Sequence, residues 1–493
     1  MEAETTTAPK PLHAVVFPIP LQGHVIPAVN LAIRLATKGF TITFVNTQLI
    51  HHQITKSLPN PNTTQNDIDD EVVDIFSGAR EAGLDIRYRT VSDGFPLSFN
   101  RMLNHDQYLR EGHMGVLPIH MDELVRELVE SADPTVSVLI ADTFFGWQSN
   151  IAKKYDLVSV SFWTEPAIVF SLYYHLDLLK VNGHYGAFHD NREDIIDYIP
   201  GVKAIEPNDL PSYLQELDVS TIMHGVINNA FEGVKRADMI LCNTVHELEF
   251  EPISTIQKRQ PMYAIGPLIS SGSTNSLVPM SIKPVSSCTQ WLNSKLPNSV
   301  LYISFGSFVL CGKKDIDEIA YGLLLSKVNF IWVLRPNVVS YAEPYVLPNG
   351  FEDEIKDRGL IVTWTNQIEV ISHYAIGGFL THCGWNSVLE SLWYGIPMLC
   401  FPLMTDQLTN RKLLVDDWRN GVNLCDKKPV NRFEVAEKID HLMCGKSTKE
   451  LRERTTKVKQ MMKNGLTLDG SSEKNLSRFI SDVKIKISDR SIM

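Results

Sequence analysis

The chain has 493 residues, which exceeds the roughly 100 to 200 residues of a typical domain, so two domains are expected. Its composition, 44% hydrophobic and 21% charged, is that of a globular protein and gives no sign of a disordered, collagenous or repeat chain. The formal net charge of −11 and the absence of basic runs longer than pairs argue against a nucleic-acid partner.

The sequence shows no targeting or membrane signal. The N-terminal MEAETTTAPKP is acidic, and the apolar stretch after it is short and broken by prolines, unlike a signal peptide. No run of about 18 uncharged apolar residues occurs, so no membrane span is expected. The seven cysteines are widely spread without a CxxC pair, which implies neither a disulfide framework nor a zinc site. These features predict a cytoplasmic protein.

The first half of the chain begins with a strand, a helix and a second strand. Residues 13–20 form an apolar run that predicts a buried strand, and residues 25–39 predict a helix with Pro27 in its first turn. Residues 41–47 predict the next strand, at a spacing that suits a right-handed crossover in a parallel sheet. A further strand is predicted from Val136 to Ala141.

A stretch rich in Ser, Pro and Thr, residues 265–287, is interpreted as a linker. Beyond it, apolar runs predict strands that begin near residues 300, 330, 360, 377 and 397, with helical patterns between the first two and between the last two. The tail from Lys449 predicts two helices separated by LDGSS. The chain is therefore predicted to be an α/β protein with two doubly wound, Rossmann-like domains facing a cleft, where polar residues that follow strands would bind ligands.

The stretch GGFLTHCGWNSVLESL predicts a strand, a tight turn and a helix. Gly384 would permit the turn, and Asn386 and Ser387 would stand where the helix starts. Because helix N-termini bind anions, this turn with His382 beside it is a candidate diphosphate site. Ser387 and Glu390 also match a capping box, S-x-x-E, which needs no ligand, and spacing alone leaves the two interpretations open.

Residues 364–407, WTNQIEVISHYAIGGFLTHCGWNSVLESLWYGIPMLCFPLMTDQ, resemble the donor-binding box of plant secondary-metabolite UDP-glycosyltransferases. Other segments are similar to the same family, among them FPIPLQGHVIP, VLIADTFFGW, SFWTEPA, CNTVHELE, YAIGPL and SVLYISFGS, so the resemblance extends over nearly the whole chain. It implies the B-type glycosyltransferase fold and metal-independent, inverting transfer of a sugar from a UDP-sugar. The UDP-sugar would be a co-substrate, and no cofactor is expected.

The resemblance also implies a role for each residue of the box. Trp364 would stack on the uracil, with Thr365 and Gln367 near the uridine, and Glu390 would accept hydrogen bonds from the ribose hydroxyls. The phosphates would be held at the turn containing Gly384 by His382, Asn386, Ser387 and Ser307. The hexose hydroxyls would be contacted by Thr164, Trp385, Asp406 and Gln407.

Some positions of the box need separate comment. Without the resemblance, Asp406 and Gln407 would be interpreted as a surface turn. The chain departs from the family at Thr365-Asn366, where Ala-Pro is common, and at Phe401, where Trp is frequent. The first pair is expected to contact uracil mainly through its backbone, so donor binding should survive the change.

His24 lies between the first strand and its helix, and Asp142 ends a later strand. An inverting transfer needs a general base for the acceptor proton, and the pKa of imidazole suits that role. A carboxylate would orient the ring and stabilise its charged form. A lone histidine at a helix start would be interpreted as structural, but both positions match the catalytic pair of the family. His24 is therefore predicted as the base and Asp142 as its partner.

Other motifs are interpreted as structural. The DxD spacing at Asp67 and Asp315, by which another glycosyltransferase class holds a metal, falls in an Asn-rich loop and at a helix start, so no metal is predicted. GSFVLCGKK has one residue too many for a phosphate-binding P-loop. Cys383 could be reactive near a helix N-terminus, but a small buried residue is the favoured interpretation.

The resulting prediction is a UDP-glycosyltransferase in four parts. These are an acceptor domain (1–264), a linker (265–287), a UDP-sugar domain (288–470) and a last helix (471–493) that packs back on the first domain. The enzyme would transfer a hexose, with Gln407 favouring glucose, to a hydroxyl of a small apolar acceptor of phenolic, flavonoid or terpenoid type, giving a β-glycoside.

Three alternatives stay open: another donor such as UDP-galactose or UDP-xylose, a nucleotide-sugar epimerase of the same fold, and a catalytically silent nucleotide-sugar-binding protein. Residues 102–121, rich in Met, His and Leu, could line the acceptor pocket or form a packed helix. The sequence predicts neither the acceptor nor the oligomeric state.

Overall fold

The computed structural model describes residues 11–57, 74–186, 193–269, 286–340, 343–425, 429–445 and 448–492. The strands are β1 (His13–Phe17), β2 (Thr41–Thr47), β3 (Ile86–Val91), β4 (Val136–Asp142), β5 (Val158–Trp163), β6 (Met239–Cys242), β7 (Met262–Ala264), β8 (Val300–Ser304), β9 (Asn329–Val333), β10 (Gly359–Val362), β11 (Ile376–Thr381), β12 (Met398–Cys400) and β13 (Gly421–Asn423).

The helices of the described chain before β8 are α1 (Gln22–Thr37), α2 (Gln48–Ser57), α3 (Ser77–Glu81), α4 (His105–Gln107), α5 (Leu117–Ser131), α6 (Gln148–Lys154), α7 (Ala167–Tyr174), α8 (Leu176–Val181), α9 (Ile222–Arg236), α10 (Phe250–Gln257) and α11 (Thr289–Asn293). Those after it are α12 (Lys313–Ser326), α13 (Phe351–Glu354), α14 (Gln367–Ile371), α15 (Trp385–Tyr394), α16 (Gln407–Lys412), α17 (Arg432–Met443), α18 (Thr448–Gly465) and α19 (Ser471–Ile492). Short 3-10 turns (Pro207–Asp209, Ser212–Leu214) and π-helical segments (Tyr108–Val116, Leu413–Asp417) complete them.

The strands form two parallel sheets, as the sequence predicts. The order is β3-β2-β1-β4-β5-β6-β7 in the first sheet and β10-β9-β8-β11-β12-β13 in the second. In each sheet the chain runs outward from a central strand, returns, and continues on the other side, so the predicted doubly wound α/β architecture is confirmed. Polar residues after β1, β4, β8 and β11 consequently lie at the carboxyl edges of the two sheets.

The central strand β1 shows why these apolar runs are strands. Ala14 and Val16 pack in one core cluster with α1, while Val15 and Phe17 pack in another with α5. Because both faces are covered by helices, every residue of the strand is buried and the sequence reads as a continuous apolar run rather than an alternating one.

Helix α1 differs from the prediction at its start. It begins at Gln22, so Pro27 lies inside the helix and His24 is in its first turn. Proline has no N–H, and the hydrogen bond that residue 27 would donate to the carbonyl of Gly23 is therefore missing. That carbonyl is left available to a partner outside the helix.

The last helix, α19, returns from the second half of the chain to the first sheet. Its Leu476, Phe479 and Val483 are fully buried in the cluster that contains β1 and α1. Burial of each such side chain contributes on the order of 1.5–3 kcal/mol. Glu473 at its start pairs with Arg34 at 3.1 Å. None of the helices described is long and apolar enough to span a membrane.

Candidate active site

The site is built around His24 and Asp142, which are 118 residues apart in the sequence and adjacent in space. Nδ1 of His24 lies 2.7 Å from Oδ2 of Asp142 and 3.0 Å from Oγ1 of Thr164. The backbone N–H of Phe144 donates to the other oxygen of Asp142 at 3.1 Å. Since a carboxylate only accepts, Nδ1 carries the proton, and Nε2 is the nitrogen with a free lone pair. No residue of the described chain hydrogen-bonds Nε2.

The electrostatics of this pair favour the charged imidazole. Burial alone would lower the pKa of His24, but the charge of Asp142 and the hydrogen bond to it outweigh burial, and Asp406 adds to them. The pKa of His24 is therefore raised above its ordinary value of 6.5. Once Nε2 takes a proton, the resulting imidazolium is stabilised by Asp142, which is 1% exposed.

Two cavities meet at His24. The first, of about 260 Å³, is lined by residues from both halves of the chain, and the second, of about 540 Å³, mainly by residues of the first half. His24, Glu165, Ser307 and Thr405 line both cavities. A group bound in either cavity would thus reach the same imidazole.

The first cavity gathers the residues predicted to bind the donor. Lining it are Thr164, Ser307, Trp364, Thr365, Gln367, His382, Gly384, Trp385, Asn386, Ser387, Glu390, Asp406 and Gln407, together with His24. Asp142 does not line it, because it lies behind the imidazole that it holds. The structure therefore brings the predicted set together around one space.

The turn between β11 and α15 differs from the prediction in one respect. Cys383, not Gly384, has the left-handed backbone, with φ of 67°, whereas Gly384 has an ordinary φ of −61°. Gly384 is needed for space, since a Cβ there would lie 2.4 Å from Nε2 of His382. A Cβ at Gly306 would lie 2.5 Å from the same atom. The imidazole of His382 is thus packed between two glycines.

His382 is neutral in this setting. Burial and the charge of Arg335 lower its pKa to about 4. Its Nδ1 has no hydrogen-bond partner within the described chain. A neutral imidazole can donate one hydrogen bond to a ligand without bringing a charge. Cys383 beside it is fully buried, and burial raises the pKa of its thiol well above the usual value, as expected for a structural residue.

The start of α15 settles the capping-box interpretation. The cap position is Gly384, which has no side chain to cap the helix, so Asn386 and Ser387 lie within the first turn. Ser387 therefore does not cap the helix, and the capping-box interpretation is wrong. The first backbone N–H groups of a helix have no partner inside it, and the residues that begin α15 line the cavity.

The side chains of Ser387 and Glu390 instead belong to a network with Gln367. The amide nitrogen of Gln367 donates to Oγ of Ser387 at 2.9 Å and to Oε2 of Glu390 at 2.8 Å. The hydroxyl of Tyr302 donates to the amide oxygen of Gln367 at 3.2 Å. Burial raises the pKa of Glu390 to about 7, against the hydrogen bond from Gln367, which lowers it. Glu390 can therefore change its ionisation near neutral pH.

Asp406 and Gln407 are buried, so their interpretation as a surface turn is wrong. Asp406 is 6% exposed and accepts hydrogen bonds from Asn410 at 2.6 Å and from Oγ1 of Thr405 at 2.9 Å. The amide oxygen of Gln407 accepts from the backbone N–H groups of residues 403 and 404. Its amide nitrogen donates to none of the described residues and is left for the cavity.

The remaining predicted residues have part of their hydrogen-bonding capacity occupied. The indole N–H of Trp385 donates to the backbone carbonyl of Asn243 at 2.7 Å, and the side-chain amide of Asn386 donates to that of Gly23 at 2.7 Å. The hydroxyl of Thr365 donates to the carbonyl of Ser286 at 3.0 Å. The indole of Trp385 thus has no donor left for a ligand, whereas the amide oxygen of Asn386 and the hydroxyl oxygen of Thr365 can still accept hydrogen bonds. Trp364 is half-buried at the cavity wall.

Sequence reasoning missed two residues that shape the site. Arg335 is 3% exposed and donates to the backbone carbonyls of Ser307 and Val309, which fixes the loop after β8. Glu165, directly after Thr164, faces the junction of the two cavities. A glutamate inside the apolar run SFWTEPAIVF is the signal that could have revealed it.

Among the residues described, no group of three or more His, Cys, Asp or Glu side chains is placed to hold a metal ion. Asp315 lies in the first turn of α12, where a negative charge favours the helix dipole. Asp67 lies outside the described residues.

The fold and the site define a B-type glycosyltransferase, and comparisons with known proteins identify its family. The model of the family described as UDP-glucoronosyl and UDP-glucosyl transferase matches residues 272–459. The chain is 54% identical over 480 residues to UDP-glycosyltransferase 86A1 of Arabidopsis thaliana, covering 96% of this chain and 95% of that protein. It is 34% identical to 7-deoxyloganetin glucosyltransferase of Catharanthus roseus, covering 96% of this chain and 97% of that protein.

A similar solved structure is that of Phytolacca americana UGT2 complexed with UDP-2-fluoro-glucose and pterostilbene. It matches with a TM-score of 0.76 and 26% identity, over 97% of this chain and 100% of that one. The chain belongs to the plant family 1 UDP-glycosyltransferases, which transfer sugars with inversion and use the UDP-sugar as a co-substrate. The family and the fold implied by the donor box are confirmed.

Proposed function

We propose that this chain transfers glucose from UDP-glucose to a hydroxyl of a small, largely apolar acceptor, with His24 as the general base. The observation that carries the proposal is that His24 lines both cavities while Asp142 holds its Nδ1. Nε2 is then free to meet an acceptor hydroxyl in one cavity beside a sugar donor in the other. That is the geometry a single displacement requires.

The reaction follows from this geometry. Nε2 of His24 takes the proton of the acceptor hydroxyl, and the oxygen forms a bond to the anomeric carbon from the face opposite UDP. The bond from that carbon to the β-phosphate oxygen breaks, and its electron pair leaves with UDP. Asp142 stabilises the imidazolium, so charge develops beside a partner already in place. Attack from the opposite face converts an α-linked donor into a β-glycoside.

The donor would lie along the first cavity. We assign Trp364 and the backbone of Thr365 to the uracil, Gln367 and Glu390 to the uridine, and the first N–H groups of α15, including those of Asn386 and Ser387, to the diphosphate. His382 and Ser307 would complete the phosphate site. A helix N-terminus supplies positive potential without a cation, which supports transfer that needs no divalent metal or other cofactor.

The hexose would be held by Thr164, Asp406 and Gln407, with Trp385 contributing its backbone because its indole N–H is occupied. The free amide nitrogen of Gln407 and the carboxylate of Asp406 could together donate to and accept from sugar hydroxyls. The preference for glucose is supported by Gln407 and by relatives named as glucosyltransferases, such as 7-deoxyloganetin glucosyltransferase of Catharanthus roseus.

We divide the chain as residues 1–264 for the acceptor and 288–470 for the donor, joined by residues 265–287, with residues 471–493 packing on the first part. The acceptor class of phenols, flavonoids or terpenoids is supported by the apolar lining of the second cavity, which includes Leu109, Phe144 and Val226. A cytoplasmic location is supported by cysteines that are all free thiols.

The test is detection of hexosides by mass spectrometry after the protein is incubated with UDP-glucose, pooled phenols and terpenoid alcohols, and a chelator. The variant His24→Ala is compared with His441→Ala, an exposed histidine on α17 that lines neither cavity. The proposal is supported if the unmodified protein and His441→Ala form hexosides and His24→Ala does not. Equal yields from His24→Ala would refute the role of His24, and UDP-glucose binding without transfer would favour a silent binding protein.

A further inference from the structure

One carboxyl group at the junction of the cavities has no role in the transfer just described. Glu165 follows β5 and lines both cavities with His24 and Thr405. Its side chain hydrogen-bonds to none of the described residues. A half-buried glutamate in this position gives up part of its hydration without gaining a protein partner, so an oxygen or nitrogen group of a ligand would be a favourable partner.

Two tyrosines share the same wall of the acceptor cavity. Tyr173 on α7 is 3% exposed, and Tyr213 lies in the 3-10 turn Ser212–Leu214. Both line the cavity with Glu165, and neither hydroxyl hydrogen-bonds within the described chain. The nearby Tyr174, in contrast, is buried on the same helix and lines neither cavity. Three side chains that carry oxygen groups thus line this cavity without a hydrogen-bond partner among the described residues.

The charge state of this wall is set by its neighbours. Burial raises the pKa of Glu165 well above its usual value, and the charges of Asp406 and Asp142 raise it further. Burial and then Glu165 raise the pKa of Tyr173. Both shifts favour the protonated form, in which a carboxyl or phenol group can donate as well as accept. A further negative charge would be repelled by the two aspartates.

We propose that Glu165, Tyr173 and Tyr213 form a specificity site that binds a second, uncharged oxygen group of the acceptor, a hydroxyl or a carbonyl. This proposal rests on the proposed function, and it specifies which chemical groups the acceptor carries besides the hydroxyl that receives the sugar. The apolar side chains of the same cavity, such as Leu109 and Val226, bind the carbon skeleton without orienting it. Acceptors with two oxygen functions are preferred to mono-alcohols, and acceptors bearing a carboxylate are disfavoured.

The test compares kcat/KM for 2-naphthol, for the dihydroxynaphthalenes that carry one hydroxyl at the same position, and for a hydroxynaphthoic acid, all with UDP-glucose. The unmodified enzyme is expected to favour at least one diol over 2-naphthol by about 10-fold, the effect of one or two hydrogen bonds, and to use the acid least. Glu165→Leu and Tyr173→Phe are expected to reduce this preference by about 3- to 10-fold. Glu165→Gln, whose amide still donates and accepts, is expected to keep most of it.

Tyr174→Phe is the matched control, because it removes a hydroxyl from the same helix outside the cavity, and it is expected to leave the ratio unchanged. An equal effect of Glu165→Leu and Tyr173→Phe on all acceptors, or no diol preference in the unmodified enzyme, would overturn the specificity site alone. If the unmodified enzyme transfers no sugar to any of these acceptors, both the proposed function and the specificity site are overturned. UDP binding is measured for each variant as a check that it is folded. If Glu165→Leu does not bind UDP, the acceptor preference of Tyr173→Phe is the result that tests the site.

Discussion

The side-chain amide of Asn386 donates a 2.7 Å hydrogen bond to the backbone carbonyl of Gly23, joining helix α15 to the turn of α1 that carries His24. The carbonyl is available because Pro27, four residues later in α1, has no N–H to occupy it. A proline inside a helix ordinarily weakens the helix. Here it leaves the carbonyl of Gly23 as a hydrogen-bond acceptor for a residue in the other half of the chain. The bond thereby fixes the start of α15 relative to His24, the proposed base.

This relationship predicts the effect of Asn386→Ala. Loss of one hydrogen bond between the two halves, worth about 0.5–1.5 kcal/mol, is expected to lower kcat/KM by about 3- to 10-fold. Steady-state kinetics measures the change. Pro27→Ala, which restores a competing N–H, is expected to lower kcat/KM in the same direction. Asn182→Ala, which removes an amide that donates to the carbonyl of Leu178 and lines neither cavity, is the control and should leave kcat/KM unaltered. Unchanged kinetics in Asn386→Ala would show that the bond does not position His24.

The packing of His382 predicts a different effect for Gly384→Ala. Since the backbone at Gly384 is ordinary, the substitution acts only through its Cβ, which would lie 2.4 Å from the imidazole. Displacement of His382 is expected to weaken UDP binding by about 10-fold or more and to cost about 1–3 kcal/mol of stability. Calorimetric titration with UDP measures the first effect.

Gly225→Ala is the matched control for this change. Its Cβ would meet nothing within 4 Å, and it lies inside α9, so a small gain in stability of about 0.5–1 kcal/mol is expected with unchanged UDP binding. Comparable losses of UDP binding in both variants would contradict the role of the glycine beside His382.

The pKa of Glu390, about 7, predicts that UDP binding is linked to protons. If ribose hydroxyls donate to the carboxylate, binding favours the ionised form and lowers the pKa of Glu390. A fraction of a proton is then released near pH 7, and affinity falls as pH drops below about 7. Calorimetry in buffers with different ionisation enthalpies measures the release, which Glu390→Gln should abolish. Release of the same size in Glu390→Gln would assign the proton to another group.

The pair of His24 and Asp142 predicts the pH profile. A general base acts in its neutral form, so activity is lost as pH falls through the pKa of His24. Because that pKa is raised, the acidic limb of kcat/KM should have its midpoint above the ordinary value of 6.5. Asp142→Asn should move the midpoint to lower pH and reduce kcat by about 10²- to 10⁴-fold, since the charge is lost and the ring tautomer is no longer fixed. An unmoved limb would show that another group titrates.

Much of the fold follows from the sequence because its strands are buried on both faces. Runs such as Thr41–Thr47 are apolar or β-branched at every position but Asn46, and the structure reproduces this strand with the predicted bounds. The start of α1 was placed three residues late, because Pro27 is common in a first turn and its interior position depends on a contact with another part of the chain.

Much of the lining of the first cavity was also predictable, since the contiguous box of residues 364–407 supplies about half of it. Contacts between distant segments were not. The bond from Trp385 to Asn243 and the position of Glu165 at the first cavity depend on how the two halves meet, and no local pattern encodes that. The role of Gly384 was misassigned for the same reason, because its neighbour His382 sets the need for space.

The central claim, that His24 removes the acceptor proton, is tested most directly by the acidity of the acceptor. Transfer from UDP-glucose is measured for the unmodified enzyme and His24→Ala, with an unionised alcohol and with a phenol acidic enough to be ionised at the assay pH. The loss in His24→Ala is expected to be about 10²- to 10⁴-fold for the alcohol and about 10-fold or less for the phenolate, which has no proton to give. Equal losses for the two acceptors would contradict the claim and leave His24 only a structural role.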